Sequence, residues 1–303
     1  MSKFILIIIL LIIIINIYDY YYKHIEYYSQ IKKYALIPDY TRWVLSDKVV
    51  AKNYAELNGF KVPKTYQIVK YPHQINFSYP NCVIKPTDLC DSGGVYLIRN
   101  GINLKTNKKI NPEKIKLELQ YLRSEIYDEY YMTDKMYNGL VPYTGYIVEE
   151  LLLDDNNQIP VDYKCYVFGG KLYYVAMTYN RRIENNIQKF DSIWFNSEWI
   201  PIKTPMIKNG YKYTNSISKP KQFEKMKKLV EDLGNKLQRH CRIDVYLIND
   251  DVYLGEMTFF CGAFLHTFYC NLSLGLIWLK NKDNFEYLDD KLLNCVPEFY
   301  NKI

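Results

Sequence analysis

Metal-binding cysteine spacing is missing from this chain. Its seven cysteines, at 82, 90, 165, 241, 261, 270 and 295, include no C-x-x-C pair, and their number is odd. That leaves neither a zinc site nor a disulfide framework, and reads the thiols as small buried apolar groups. The four histidines (24, 73, 240, 266) are scattered without metal-ligand spacing. No Ser/His/Asp or Cys/His arrangement points to a protein nucleophile. A Walker A order, G-x-x-x-x-G-K-[ST], is absent. So is the D-x-D of a metal-dependent glycosyltransferase, since Asp250-Asp251 falls in a tight turn. After residue 45 there is no repeat, low-complexity linker or heptad run. Excess charge is also scarce. Thirty-nine basic against 33 acidic residues leave a net +6, which favours anionic partners but, without a basic-aromatic stripe, argues against nucleic acid.

What is present is ample core material, 49% apolar and 16% aromatic over 303 residues. That is enough for two domains or one large one, and it excludes a disordered chain. The 32 tyrosines, with frequent Ile, Lys and Asn, read as a compositional habit rather than chemistry. Phe4 to Ile15 is an unbroken apolar run, extended by Ile17 and Tyr18. No small-residue cleavage site follows, so it reads as an uncleaved single-pass anchor whose flanking tyrosines supply the interfacial ends. Lys3 precedes the run while Lys23, Lys32 and Lys33 follow it, which places the C-terminal body on the cytoplasmic side.

Along the body, Asp47 to Asn58 reads as a helix with Ser46 as N-cap and Gly59 as stop. Asn81–Lys85 and Gly94–Arg99 read as strands around a Gly-containing turn. Asn111-Pro112 opens a helix expected to run to about Tyr137. Gly145–Leu153 is a strand, and Gly169-Gly170 is a two-residue hairpin signal between strands 162–168 and 171–177. Phe223 to Leu237 has the apolar spacing of an amphipathic helix, and strands at 241–248 and 252–259 follow it. Mixed strands and helices with hairpins predict an α+β fold.

The last hairpin carries the chemistry. With Asn249-Asp250-Asp251 as a three-residue loop, Asp244 pairs with Glu256 and Arg242 with Thr258. Period-two alternation then places all four on one face, with Ile243, Val245, Leu247, Tyr253, Met257 and Phe259 on the other. Two carboxylates directly opposite repel unless a cation lies between them. Two readings stand: a Mg²⁺ site with an adjacent hydroxyl, or a pair neutralised by Arg242. Val83-Ile84-Lys85-Pro86, followed by Asp91-Ser92-Gly93-Gly94, sets a lysine at a strand end before a small-residue turn able to cradle phosphates. Ile147-Val148-Glu149-Glu150-Leu151-Leu152 is a third element, and Asp162 and Lys164 share one face of the strand after it.

In this order the elements resemble the TupA-like ATP-grasp family over about Ser46 to Gly275. The carrying residues are Ser46-Asp47-Lys48, Val83-Ile84-Lys85-Pro86 with Ser92-Gly93-Gly94, Val148-Glu149-Glu150-Leu151-Leu152, and Asp162-Tyr163-Lys164 running to Lys171. Asp191 with Trp194, Arg242-Ile243-Asp244 and Gly255-Glu256-Met257-Thr258-Phe259 complete them. The resemblance implies two α+β lobes with mostly antiparallel sheets clamping ATP and Mg²⁺. It implies an anchor and juxtamembrane segment at 1–36, a preceding segment at 37–80, an N-lobe at 81–146 and a C-lobe with C-terminal helices at 147–303. Lys85 is implied on the ATP phosphates, Ser92, Gly93 and Gly94 in the covering loop, and Glu149 to Leu152 (Glu149, Glu150 and Leu152 among the ATP contacts) as the hinge whose backbone reads adenine. Asp162 is implied at the ribose and Lys164 at the γ-phosphate. Asp244 and Glu256 are implied as metal ligands, Arg242 at the transferred phosphoryl group, and Thr258 where many relatives carry a ligating Asn. Gly262-Ala263 is implied beside the substrate, and Arg181 and Arg182 on an anionic substrate.

The chemistry implied is carboxylate–amine ligation through an acyl phosphate, which accounts for the two opposed carboxylates. Members of the family are associated with joining amino acids or peptides to acidic cell-surface polymers, so an anionic small-molecule or glycan acceptor and an amine donor are the expected partners beside ATP. The alternatives are an ATP-grasp kinase acting on a sugar and an inactive membrane-anchored binding protein.

Overall fold

The computed structural model describes residues 3–37, 39–89, 93–122, 145–184, 187–259, 261 and 265–297. Ser92, Gly262, Ala263 and the stretch 123–137 of the expected long helix lie outside the described residues. Helix α1 (Lys3–Tyr20) runs into a π-helical turn (Tyr21–Ile25), and the chain then breaks at Glu26, whose ψ of 128° is non-helical. The Glu26 side chain caps α2 (Tyr27–Ala35) by accepting from the Ser29 amide. Asp39 caps α3 (Tyr40–Leu45) and Asp47 caps α4 (Lys48–Leu57), accepting from the amides of Val49 and Val50. Ser46, the expected cap of α4, instead ends α3, because Asp47 has the extended backbone an N-cap needs. Gly59 closes the helix at φ +87°, a left-handed stop that suits glycine.

One sheet gathers β1 (Thr65–Val69), β2 (Asn81–Pro86), β3 (Tyr96–Arg99), β4 (Ile102–Asn103), β5 (Lys108–Lys109) and β6 (Tyr146–Glu150) in the order β1-β6-β2-β3-β4-β5. Helix α5, described over 112–122, covers it with Ile115 and Leu119. The second sheet holds β7 (Asp162–Phe168), β8 (Lys171–Glu184), β9 (Ile187–Asn196), β10 (Cys241–Ile248) and β11 (Asp251–Thr258) in the order β11-β10-β7-β8-β9. Among the described residues every pairing between two of these strands is antiparallel. Gly169 and Gly170, at φ +52° and +71°, form the expected two-residue turn between β7 and β8.

Helix α6 (Phe223–Leu237) buries Phe223, Met226, Val230, Leu233 and Leu237 in the core of the second sheet. Helices α7 (Phe268–Lys280) and α8 (Asp290–Leu293) follow. Two further helices join that core. Helix α4 contributes Val50, Ala51, Tyr54 and Ala55, and α2 contributes Tyr27, Ile31 and Tyr34. Tyr27 Oη and His240 Nε2 share a buried hydrogen bond of 2.6 Å. The segment after the apolar helix is therefore part of the packed body. Gly275 on α7 makes this possible, because a Cβ there would stand 1.8 Å from the Ile25 carbonyl oxygen.

Candidate active site

The β10–β11 hairpin reaches the expected pairing by an unexpected route. The turn has two residues, Asn249 at φ +53° and Asp250, so Ile248 pairs with Asp251. That register alone would put Asp244 opposite Gly255's position in the ladder. A β-bulge at Gly255 absorbs one residue, and Asp244 then faces Glu256 while Arg242 faces Thr258. The correction shows in the core. Val252 and Leu254, not Tyr253, face inward beside Leu247 and Val245, because a one-residue slip exchanges the faces. A Cβ on Gly255 would lie 3.0 Å from the Tyr246 ring and 3.1 Å from the Asp244 carbonyl oxygen, so the bulge is built around glycine.

The hairpin faces a cleft of ≈ 810 Å³ between the two sheets, a volume usual for small-ligand sites. On its second-sheet wall, Asp244 accepts from Arg242 Nε at 2.6 Å and Nη2 at 2.8 Å, and from Lys164 Nζ at 2.5 Å. Burial opposes its ionisation, but Arg242 and Lys164 outweigh that and hold its pKa below the usual carboxylate range. Arg242 Nη2 also donates to Thr258 Oγ1 at 3.1 Å. Lys164 bridges to Asp162 at 2.8 Å, and Arg181 reaches the same Asp162 oxygen at 2.5 Å. The other oxygen, Asp162 Oδ1, is buried with no hydrogen-bond partner. Glu256 keeps 34% of its side chain exposed, with Lys48 Nζ at 3.9 Å.

On the first-sheet wall, Glu149 of β6 lies between two lysines, Lys85 of β2 at 2.6 Å and Lys52 of α4 at 2.6 Å. Burial penalises the carboxylate, and the lysines overcome it and lower its pKa. Lys48 and Lys52 have their pKa values lowered by burial, against the pull of Glu256 and Glu149 respectively. Lys48 also donates to the Leu89 carbonyl. An apolar slot of Val83, Leu97, Leu151, Leu152, Ile159 and Leu254 completes the cleft.

A model of the TupA-like ATP-grasp family matches residues 18–272. The chain belongs to that family. It has the ATP-grasp fold, two antiparallel lobes facing one cleft. Among solved structures, this ATP-grasp protein is similar to D-alanine–D-alanine ligase from Bacillus anthracis, at 14% identity over 83% of this chain and 66% of that chain, with a TM-score of 0.43. It is similar to D-alanine–D-alanine ligase from Helicobacter pylori at 15%, over 78% and 61%, TM-score 0.40. Phosphoribosylamine–glycine ligase from Thermotoga maritima follows at 14%, over 72% and 48%, TM-score 0.41. The chain thus spans less than two thirds of the length of each. No curated protein matches it.

The cleft of this ATP-grasp protein brings together Lys85, Glu149, Glu150, Leu152, Asp162, Lys164, Arg242, Asp244, Glu256 and Thr258. Gly94, at φ +66°, turns the chain into β3 under Leu119, where a Cβ would stand 2.9 Å from that side chain. Gly93 adjoins it in the same turn. Glu149 does not sit in a free hinge. Its backbone lies inside the ladder between β1 and β2, opposite Thr65 and Val83. The backbone leaves the sheet only at Leu151 and Leu152. Sequence reasoning missed Lys52 and gave Lys48 no role. Their signal was a spacing of four along an otherwise apolar helix face, which sets both side chains over the same cleft.

Proposed function

We propose that this protein is an ATP- and Mg²⁺-dependent carboxylate–amine ligase, held to a membrane by α1, that joins an amino acid or peptide to a glycan or other acidic acceptor. The observation that carries the reading is the contact across the cleft, where Lys48 and Lys85 approach from one side and Glu256, half-exposed and weakly paired, looks back from the hairpin. A lysine pair facing a carboxylate with coordination to spare is what a triphosphate with its cation requires.

The apolar slot at Leu151 and Leu152, where the chain has left β6, suits the adenine. The orphaned Asp162 Oδ1 suits a ribose hydroxyl as donor. Lys85 and Lys48 hold the phosphates, and Glu149 positions Lys85 and Lys52 rather than touching the nucleotide. Lys164 and Arg242 neutralise charge on the transferred phosphoryl group. Glu256 and Asp244 are the carboxylates that would hold Mg²⁺, with Thr258 beside them. Among the described residues no three His, Cys, Asp or Glu side chains form a metal cage. Two carboxylates fit Mg²⁺, whose remaining positions are filled by phosphates and water. Bound there, the cation supplies charge neutralisation at the phosphates.

In the reaction a substrate carboxylate oxygen bonds to the γ-phosphorus as the bond to ADP breaks. The amine nitrogen then bonds to the acyl carbon, the acyl C–O bond to phosphate breaks, and inorganic phosphate leaves carrying the amine's proton. The chain's own residues align reactants and screen charge, with no protein nucleophile.

The membrane part of the reading rests on α1. Residues Ile5–Ile25 are long and apolar enough to cross a membrane, and the apolar side chains from Ile5 to Tyr20 are exposed. The test is calorimetry of MgATP on the full chain in lipid nanodiscs, followed by screening of acid and amine pairs for ADP release. Binding weakened roughly 10- to 100-fold in Lys85→Ala, with ADP release that needs both an acid and an amine, supports the ligase. Release needing only a hydroxyl acceptor would replace it with a kinase.

A further inference from the structure

Helix α7 is apolar on two sides. Its inner side, Cys270, Leu274 and Trp278, is buried. Its outer side carries Phe268, Tyr269, Leu276 and Leu279, exposed by 60%, 45%, 49% and 47%, with Leu272 partly buried among them. At 3.6 residues per turn these five fall within a stripe about 100° wide, and Leu265, 48% exposed, extends it before the helix begins. A helix apolar all round belongs in a core or in lipid, and a contiguous exposed apolar face marks an interaction surface.

The occupant follows from what adjoins the stripe. The Tyr21 ring at the end of the apolar N-terminal helix stands 4.9 Å from the Phe268 ring, and Ile25 is seated on Gly275. The helical run from Lys3 to Ile25 rises about 34 Å at 1.5 Å per residue, enough to cross a hydrocarbon core of about 30 Å. A bilayer that holds this run up to its tyrosines therefore reaches Phe268. Exposed lysines flank the region, Lys23, Lys32 and Lys33 on one side and Lys280 and Lys282 on the other, as phospholipid headgroups favour. We propose that the outer face of α7 is a second membrane-contact surface, lying in the lipid interface beside α1 and orienting the body on the bilayer. Leu265, together with Tyr28 and Ile31 of α2, also lines the cleft, so this seating holds that end of the cleft near the lipid surface. The inference rests on the reading of α1 as a membrane helix.

The two separate in one experiment. Full-length protein in phosphatidylcholine–phosphatidylglycerol vesicles, with and without brominated acyl chains, is compared across four tryptophan reporters. Ile8→Trp reports on α1, Leu276→Trp and Leu279→Trp on the α7 stripe, and Leu117→Trp on an exposed α5 position, with the unsubstituted protein as background. The expected result is quenching of both α7 reporters comparable to that of Ile8→Trp, and none of Leu117→Trp. Quenching of Ile8→Trp alone would overturn the inference and leave the anchor intact; a dimer found in that case would assign the face to a second copy. Quenching of none would overturn both.

Discussion

Glu149 and Glu256 look into the same cleft from opposite sheets, and their bonding differs completely. Glu149 is 3% exposed, and each oxygen is taken by a lysine at 2.6 Å. Glu256 has a third of its side chain in solvent and its ion-pair partner Lys48 at 3.9 Å. A saturated buried acid has no coordination left for a ligand, so its work is to hold its partners in place. An acid with open coordination can take a cation without breaking anything first. Asp244 resembles Glu149 in this respect, since both its oxygens are engaged by Arg242 and Lys164. For Asp244 to meet Mg²⁺, Lys164 must yield one oxygen, which a γ-phosphate would encourage by offering that lysine another anion.

The largest effect that would break this contrast belongs to Glu149→Gln. Removing the carboxylate leaves two buried lysines unpaired, which costs about 3–5 kcal/mol of stability. Urea unfolding should show a midpoint far below that of the parent, with ATP binding lost as well. An unchanged midpoint would refute the positioning role. Glu256→Gln should do the reverse. Turnover falls by roughly 10²–10³, the scale of one lost preorganised electrostatic partner, while the unfolding free energy stays within about 0.5 kcal/mol, as for ordinary surface changes. A large stability loss there would mean that Glu256 is structural after all.

Between these lies Lys85→Ala, which would remove the proposed charge-assisted contact to phosphate, worth about 1.5–3 kcal/mol. The expected weakening of MgATP binding is roughly 10- to 100-fold by calorimetry. Because Lys85 and Lys52 share Glu149, a companion Lys52→Ala should weaken binding less, acting through the geometry of its neighbour. Equal effects would place both lysines on the nucleotide.

Much of this contrast was legible beforehand. Alternation pairs Arg242 with Asp244 and Glu256 with Thr258, and a three-residue turn brings the two pairs to one face. The opposed carboxylates leave two readings, a cation or neutralisation by Arg242, which in the structure bonds Asp244 together with Lys164. The turn length was not legible, because Asn249-Asp250 and Asn249-Asp250-Asp251 satisfy the same pattern until the bulge at Gly255 is seen. A glycine inside a strand was the available hint. Glu149 read as hinge backbone because sequence order shows neither which strands flank it nor that two lysines converge on its side chain. Lys52 comes from an element more than ninety residues away, and such long-range ion pairs leave no local trace. The packing of Tyr27, Ile31 and Tyr34 was hidden for another reason, since tyrosines beside an apolar run look like interfacial anchors.

The smallest effect concerns acid. The second sheet's core carries His240 and His266, each pushed down to about 3, mainly by burial and then by Arg242. Asp283, which accepts from the His240 amide, is pushed up to about 7, first by burial. Between about pH 4 and 6.5 the unfolded chain binds two histidine protons that the folded protein refuses, while the folded protein keeps one on Asp283 that the unfolded chain releases. The net is one proton more on the unfolded side. Stability should therefore rise with pH across this window by about 1.4 kcal/mol per unit and level off near pH 6.5. Asp283→Asn removes the opposing group, so the slope should steepen towards twice that value. Denaturant titrations at several pH values read this directly, and a slope that the substitution leaves unchanged would mean that Asp283 is ionised in the folded protein.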